Sequence, residues 1–432
     1  MKNHSRTKKV LVSTSLILIA VVVSFLFWVM SDDHHPLREY IMNQSHVEND
    51  NNSNHQEDTD QDDENVNAEP EPDPIPVPEP EPDEIVKLKV SAIGDIMFHS
   101  TQMQSHHFNK DSGKYEAKPF FEYVEPYFQD ADLMIANFET TTGGADLGYT
   151  GYPQFNAPDE VIPTLKDIGI DVLITTNNHS LDTGDTGLKR TAQLMNKYKI
   201  DSVGTYEEKP DSRVLYKDVK GLKVAILAYT ESTNGLGDQY DPVYLNSIIN
   251  LMDEDIILAD IEEAKENDAD IIISYMHWGE EYANEPNETQ VQLAEKMADA
   301  GVHIIFGSHP HVIQKSDMIE TDSFNTFVIY SLGNFISNQR AETLGDDRRQ
   351  TEDGVIVQLE LEKNITQDEL ELTSVDYVPT WVYRNEIKDG QYDYRVVPIE
   401  DYLQDDLFKD ITNRMQESLD ATNAKLNTNT KK

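Results

Sequence analysis

Seven short apolar runs, each stopping abruptly at small or polar residues, constrain the fold of this chain more than any other feature of it. They read "IVKLKVSAIGD" (85–95), "ADLMIANFE" (131–139), "GIDVLITTNNHS" (169–180), "LKVAILAYT" (222–230), "ADIIISYMHWG" (269–279), "VHIIFGSHPH" (302–311) and "NTFVIYSLGNF" (325–335). Helical stretches stand between them: "DEVIPTLKDIG" (159–169), "TGLKRTAQLMNKYKI" (186–200) and "ETQVQLAEKMADAG" (288–301). In the last, Val291, Ala294, Met297 and Ala298 approximate an apolar stripe at helical spacing, and Gly301 marks a stop. Strands that alternate with helices predict an α/β architecture. Strands this continuously apolar predict a sheet covered on both faces.

In such folds ligands collect beyond the carboxyl ends of the strands. Here those ends carry Asp95, then Asn137 and Glu139, then Asn178 and His179, then His277, then His309 and His311. A lone histidine after a strand is ordinarily a hydrogen-bonding residue, but oxygen and imidazole donors at five strand ends form a pattern. A metal-activated hydrolytic site wants a carboxylate shared between cations, neutral imidazoles, and an amide oxygen that fills a position without adding charge. Asp95 and Glu139 are the candidate carboxylate ligands, Asn178 the amide, and His277, His309 and His311 the imidazoles. His179 is the candidate catalytic group, able to protonate a leaving group or stabilise its charge. Asp182, three residues on, is placed to orient it.

The chain has no cysteine, so disulfides, iron–sulfur clusters and thiolate metal sites are excluded. A metal must therefore sit among His, Asp, Glu and Asn, a donor set that suits Mn, Fe or Zn, one or two ions per chain. With 80 acidic against 35 basic residues, a net charge of −45 argues against nucleic acid and against anionic lipid surfaces as partners.

Residues 1–9 are basic, and 10–30, "VLVSTSLILIAVVVSFLFWVM", carry no charge. A run of that length spans a bilayer as a helix, and its cationic flank places the remainder outside the cell. No A-x-A pattern precedes "SDDHH", which favours an uncleaved anchor over a signal peptide. Residues 31–85 are acidic and end in "EPEPDPIPVPEPEPDE", a composition that reads as a disordered linker and stiff spacer. The functional domain is expected over 86–400, followed by a helical, then frayed, tail over 401–432.

The segments "GDIMF", "NFE", "NNHSLDTG", "HWGEEY", "GSHPHV" and "YSLGNF" resemble the bacterial capsule synthesis protein family called CapA or PgsA, associated with poly-γ-glutamate. That family is similar in fold to calcineurin-like metallophosphoesterases. The resemblance covers about residues 86–385 and implies a two-sheet β-sandwich flanked by helices. It also implies that Asp95 stands for the first aspartate, Glu139 for the bridging acid, Asn178-His179 for the Asn-His pair, His277 for the lone histidine, and His309 and His311 for the final doublet. The chain departs from the phosphoesterase pattern in three places. Met97 stands where a histidine is usual, with His99 two residues further on; the bridging acid is Glu rather than Asp; and Ser308 separates Gly307 from the doublet.

Three functions follow as expectations. The first is a membrane-anchored extracellular protein of poly-γ-glutamate capsule synthesis or export with a divalent-metal site, meeting other synthase subunits and the polymer. The second is a metal-dependent phosphoesterase, and the third a non-catalytic accessory subunit. Arg340, Arg348 and Arg349 form a rare basic patch, read either as a receiver of anionic substrate or as a solvated loop.

Overall fold

A computed structural model describes residues 83–105, 115–388 and 390–426. The apolar run 10–30 and nearly all of the linker lie outside the described residues. Among the described residues no helix is long and apolar enough to cross a membrane.

The fold is mixed α/β and built on two sheets. In chain order the strands are β1 (Ile85–Ile96), β2 (Leu133–Phe138), β3 (Val172–Ile174), β4 (Asp201–Val203), β5 (Leu215–Val219), β6 (Leu222–Thr230) and β7 (Ile271–His277). They continue with β8 (Ile304–Ser308), β9 (Ser316–Ile319), β10 (Thr326–Ile329), β11 (Asn334–Ile336), β12 (Asp353–Asn364), β13 (Glu369–Lys388) and β14 (Gln391–Pro398). One sheet has the order β14-β13-β12-β1-β2-β3-β4, with β11 added against the end of β1; the other has the order β5-β6-β7-β8-β10-β9. The main helices are α1 (Val161–Asp167), α2 (Gly184–Tyr198), α3 (Pro242–Ile248), α4 (Glu254–Glu266), α5 (Glu288–Ala300) and α6 (Thr412–Leu426).

Period-two alternation sends the side chains of the central strands into two opposite cores. Leu88, Val90 and Ala92 of β1 face Ile271, Ile273 and Tyr275 of β7 in the core between the sheets. Ile93 and Ile96 face the other way, into a core closed by Val161, Ile162 and Leu165 of α1 and Leu194 and Met195 of α2. Ile272 and Met276 of β7 likewise turn outward beneath Ile257 and Ile261 of α4 and Leu293 and Met297 of α5. Helix α6 packs Met415 and Leu419 on Trp381 and Val397 at the far side of the first sheet, and its last residue, Leu426, reaches the central core.

The central strands β1, β2 and β3 are parallel, as are β6, β7, β8 and β10. Their carboxyl ends therefore point one way within each sheet. At the end of β1 the register with β2 slips between Ile93 and Asp95, and the backbone of Gly333 closes in. A Cβ built on Gly94 would lie 1.9 Å from the Gly333 carbonyl oxygen, and Gly333 itself has a φ of 70°. Both positions need glycine: the first for the close approach, the second for the left-handed backbone.

Candidate metal centre

Every donor named from the sequence lies at one cluster, because parallel strands deliver their ends together. Asp95 ends β1, Glu139 follows β2, Asn178 and His179 lie beyond β3, His277 ends β7, and His309 and His311 follow β8. Asp95 and Glu139 are fully buried, and His277 and His311 are almost so.

Ligand atoms of Asp95, Glu139 and His277 lie within 4.8 Å of one another, and so do those of Glu139, His309 and His311. Glu139 belongs to both sets. Its Oε1 is buried with no hydrogen-bond partner, 3.7 Å from His277 Nε2 and 3.8 Å from His311 Nε2. Asn178 Oδ1 lies 3.0 Å from the same His277 nitrogen, and its amide is turned that way because its Nδ2 donates to Asn234 Oδ1. His309 Nδ1 is a second buried atom with no partner.

The electrostatics tell the same story. Burial, and next the charge of Asp95, push the Glu139 carboxyl well above its usual range. Burial pulls His277 well below the ordinary imidazole value, helped by His309. Burial, then the neighbouring His311, lowers His309 to about 4. Each group is driven toward its uncharged form, as expected where like groups are crowded out of water. Lone pairs of a carboxylate and two imidazoles converging on one point repel each other unless a cation or proton sits among them. The donor set thus fits divalent metal ions, which favour such mixed nitrogen and oxygen shells.

A second layer of side chains fixes the first. His311 Nδ1 lies 3.0 Å from Asp95 Oδ2 and 3.1 Å from Asn334 Oδ1. Both partners are acceptors, since the Asn334 amide nitrogen already donates to Gln339 and to the Thr351 carbonyl. The proton therefore sits on Nδ1 and the Nε2 lone pair faces Glu139. His277 Nδ1 lies 2.9 Å from Ser308 Oγ, a hydroxyl that serves either tautomer. Asn137 is the hub, donating to Asp95 Oδ1 at 2.7 Å and reaching Ser308 Oγ at 3.3 Å. These orienting residues share one origin. Asp95 is in register with Asn137 and Asn334, and His277 with Ser308. Asn137 stood at a strand end in the sequence without an assigned role, and Ser308 read only as an interruption.

His179 lies beside this cluster, buried, with its Nδ1 2.8 Å from Asp182 Oδ2. The Phe155 amide donates to the same Asp182 oxygen at 2.6 Å, and the Phe155 ring stands edge-on to His179 at 4.7 Å. Burial raises the Asp182 carboxyl, against the pull of His179. His99 Nδ1 is engaged away from the other donors, 3.1 Å from the Asn338 amide and 3.2 Å from Gln102 Oε1. Burial lowers its value to about 3.

A cavity of about 380 Å³ lined by Glu231, Ser232, His277, Gly279 and His309 opens on the cluster. A larger one, about 700 Å³, lies at the amino end of β1 around Ile85, His303 and Lys363, away from these donors. Trp278 is core: fully buried, its indole donates to the Tyr330 carbonyl. Arg340 is not surface either. It is buried, paired with Glu342 at 2.7 Å and Glu352 at 3.6 Å.

Fold and cluster together define a two-sheet α/β protein with candidate metal-ligand groups at the ends of its parallel strands. A family model described as bacterial capsule synthesis protein PGA_cap matches residues 89–339, and the chain belongs to that family. It is 34% identical over 299 residues to the PGA biosynthesis protein CapA of Bacillus subtilis (strain 168), covering 67% of this chain and 71% of that one. It is 32% identical over 290 residues to the capsule biosynthesis protein CapA of Bacillus anthracis, covering 65% of each. Similar solved structures include a phosphatase from Mycoplasma pneumoniae, 15% identical with a TM-score of 0.38 over 76% of this chain and 99% of that one. Another is the NAD nucleotidase of Haemophilus influenzae, 12% identical with a TM-score of 0.41 over 79% of this chain and 57% of that one.

Proposed function

We propose that this chain is a metal-binding component of poly-γ-glutamate capsule synthesis or export, anchored in the cell membrane by residues 10–30 with its domain outside the cell. The observation that carries the reading is Glu139, a fully buried carboxylate shared by two donor sets and left with an unpartnered oxygen. Family membership and the names of the two Bacillus relatives supply the capsule context. Asp95, Glu139, Asn178, His277, His309 and His311 hold one or two divalent ions, of Mn, Fe or Zn type. Such ions, when bound, polarise an ester or amide oxygen and generate a nucleophile from water.

A specific feature favours turnover over a purely accessory role. Asp182 accepts the Nδ1 proton of His179, which keeps the imidazole Nε2 available to give or take a proton at the substrate. Phe155 holds both members, by its amide on the aspartate and its ring against the histidine. Other synthase subunits and the polymer are the partners this reading expects.

The test is complementation. A strain lacking the gene is expected to lose surface poly-γ-glutamate and to regain it with the wild-type chain but not with His179→Asn. Full restoration by His179→Asn and also by a His309→Ala/His311→Ala variant would leave only the accessory role standing.

A further inference from the structure

Three arginines of the 340–349 segment have different fates. Arg340 is buried in its ion pairs. Arg349 is held by Glu417 at 3.2 Å and Asp346 at 3.5 Å. Arg348 has a looser partner, its sequence neighbour Asp347 at 3.8 Å, whose side chain is 79% exposed. Its guanidinium instead lies 4.7 Å above the ring of Tyr282. Stacking of this kind fixes the plane of a guanidinium while leaving its edge N–H groups to face an anion.

Tyr282 is in turn fastened to the metal-ligand loop. It has a φ of 67°, a left-handed conformation that a bulky residue adopts only when the surroundings impose it. Its amide donates to the carbonyl of Pro310, the residue between His309 and His311, at 2.7 Å. Its ring centroid lies 6.1 Å from that of His311. His309 and His311 are left-handed too, with φ of 97° and 58°. A strained turn is thus locked to a strained turn, and the outcome is a cation held over an aromatic ring beside a ligand of the cluster. On a chain of net charge −45, Arg348 is a cation held over Tyr282 with only the exposed Asp347, at 3.8 Å, as its ion-pair partner among the described residues.

We propose that the Arg348–Tyr282 pair is an oxyanion subsite at the rim of the cluster, holding a carboxylate or phosphate group of the substrate away from the reacting bond. This rests on the reading of the cluster as a metal site that receives substrate.

The experiment uses the full chain in detergent micelles, loaded with Mn²⁺, with binding followed by calorimetry and bound metal measured in parallel. Two probes separate the sources, a γ-linked glutamate oligomer and inorganic phosphate. Arg348→Ala is expected to weaken binding of at least one probe about tenfold. Arg348→Lys should recover part of that, Arg349→Ala none should be lost, and bound metal should be equal in all four proteins. The probe that depends on Arg348 identifies the source. Equal binding by wild type and Arg348→Ala, or no binding of either probe to the wild type, overturns the subsite. Arg348-dependent binding by a wild-type protein that holds no metal would keep the subsite and defeat the metal reading instead.

Discussion

Ser308 carries the plainest prediction at the scale of single residues. Its hydroxyl lies 2.9 Å from His277 Nδ1, so removing it leaves that nitrogen to the longer contact with Asn137 Nδ2 at 3.3 Å and loosens the ring's orientation. Ser308→Ala is expected to lower metal affinity by about 10- to 100-fold while the fold persists, read by competition with a chelator. Unchanged affinity would mean that Ser308 does not orient His277 for a metal. The candidate ligands, which the fold gathers into one cluster, were legible in the sequence because each stands where an apolar run breaks. Their supports were not, and the reason is physical. Asn137, Ser308 and Asn334 act through cross-strand register with Asp95 and His277, and a sequence does not say which strands are neighbours. Arg340 misled for the same reason, since only packing against Trp381 and Glu352 reveals it as buried.

Among elements, β1 is where fold and site meet. Its passage beneath Gly333 is what brings Asp95 into register with Asn334. Gly94→Ala would force a methyl group into a backbone carbonyl, a clash that only movement of β1 or β11 relieves. We expect a loss of about 3 kcal/mol or more in urea unfolding, against about 1 kcal/mol for an ordinary strand glycine. A near-neutral result would show that the close approach is not needed. All seven apolar runs contain strands, the last of them two. Strands β12 to β14 escaped notice, because β13 interleaves Glu369, Glu371 and Asp376 with its apolar residues and leaves much of its length half-exposed. Helix α6 was legible as a helix but not as part of the core. Leu419→Ala should cost about 2–4 kcal/mol if its packing on Trp381 is as described.

For the whole molecule, charge and burial set the pH response. Asp353 is buried where β12 begins, beside Ser418 and Arg414 of α6, and burial pushes it up to about 6 from 3.8. The folded state therefore holds a proton there that the unfolded chain releases between about pH 4 and 6. Its contribution favours folding below that window and is lost as pH rises through 6, by about 3 kcal/mol. Asp353→Asn is expected to flatten that part of the stability profile relative to wild type; parallel profiles would refute the assignment. The most direct test of the account as a whole is the metal content of the purified full-length chain, by mass spectrometry, beside a His309→Ala/His311→Ala variant. The account predicts between about one and two transition-metal ions per wild-type chain, lost in the variant. No metal in either protein after loading with Mn, Fe and Zn would contradict it, and Glu139 would then be a buried acid with no cation to explain it.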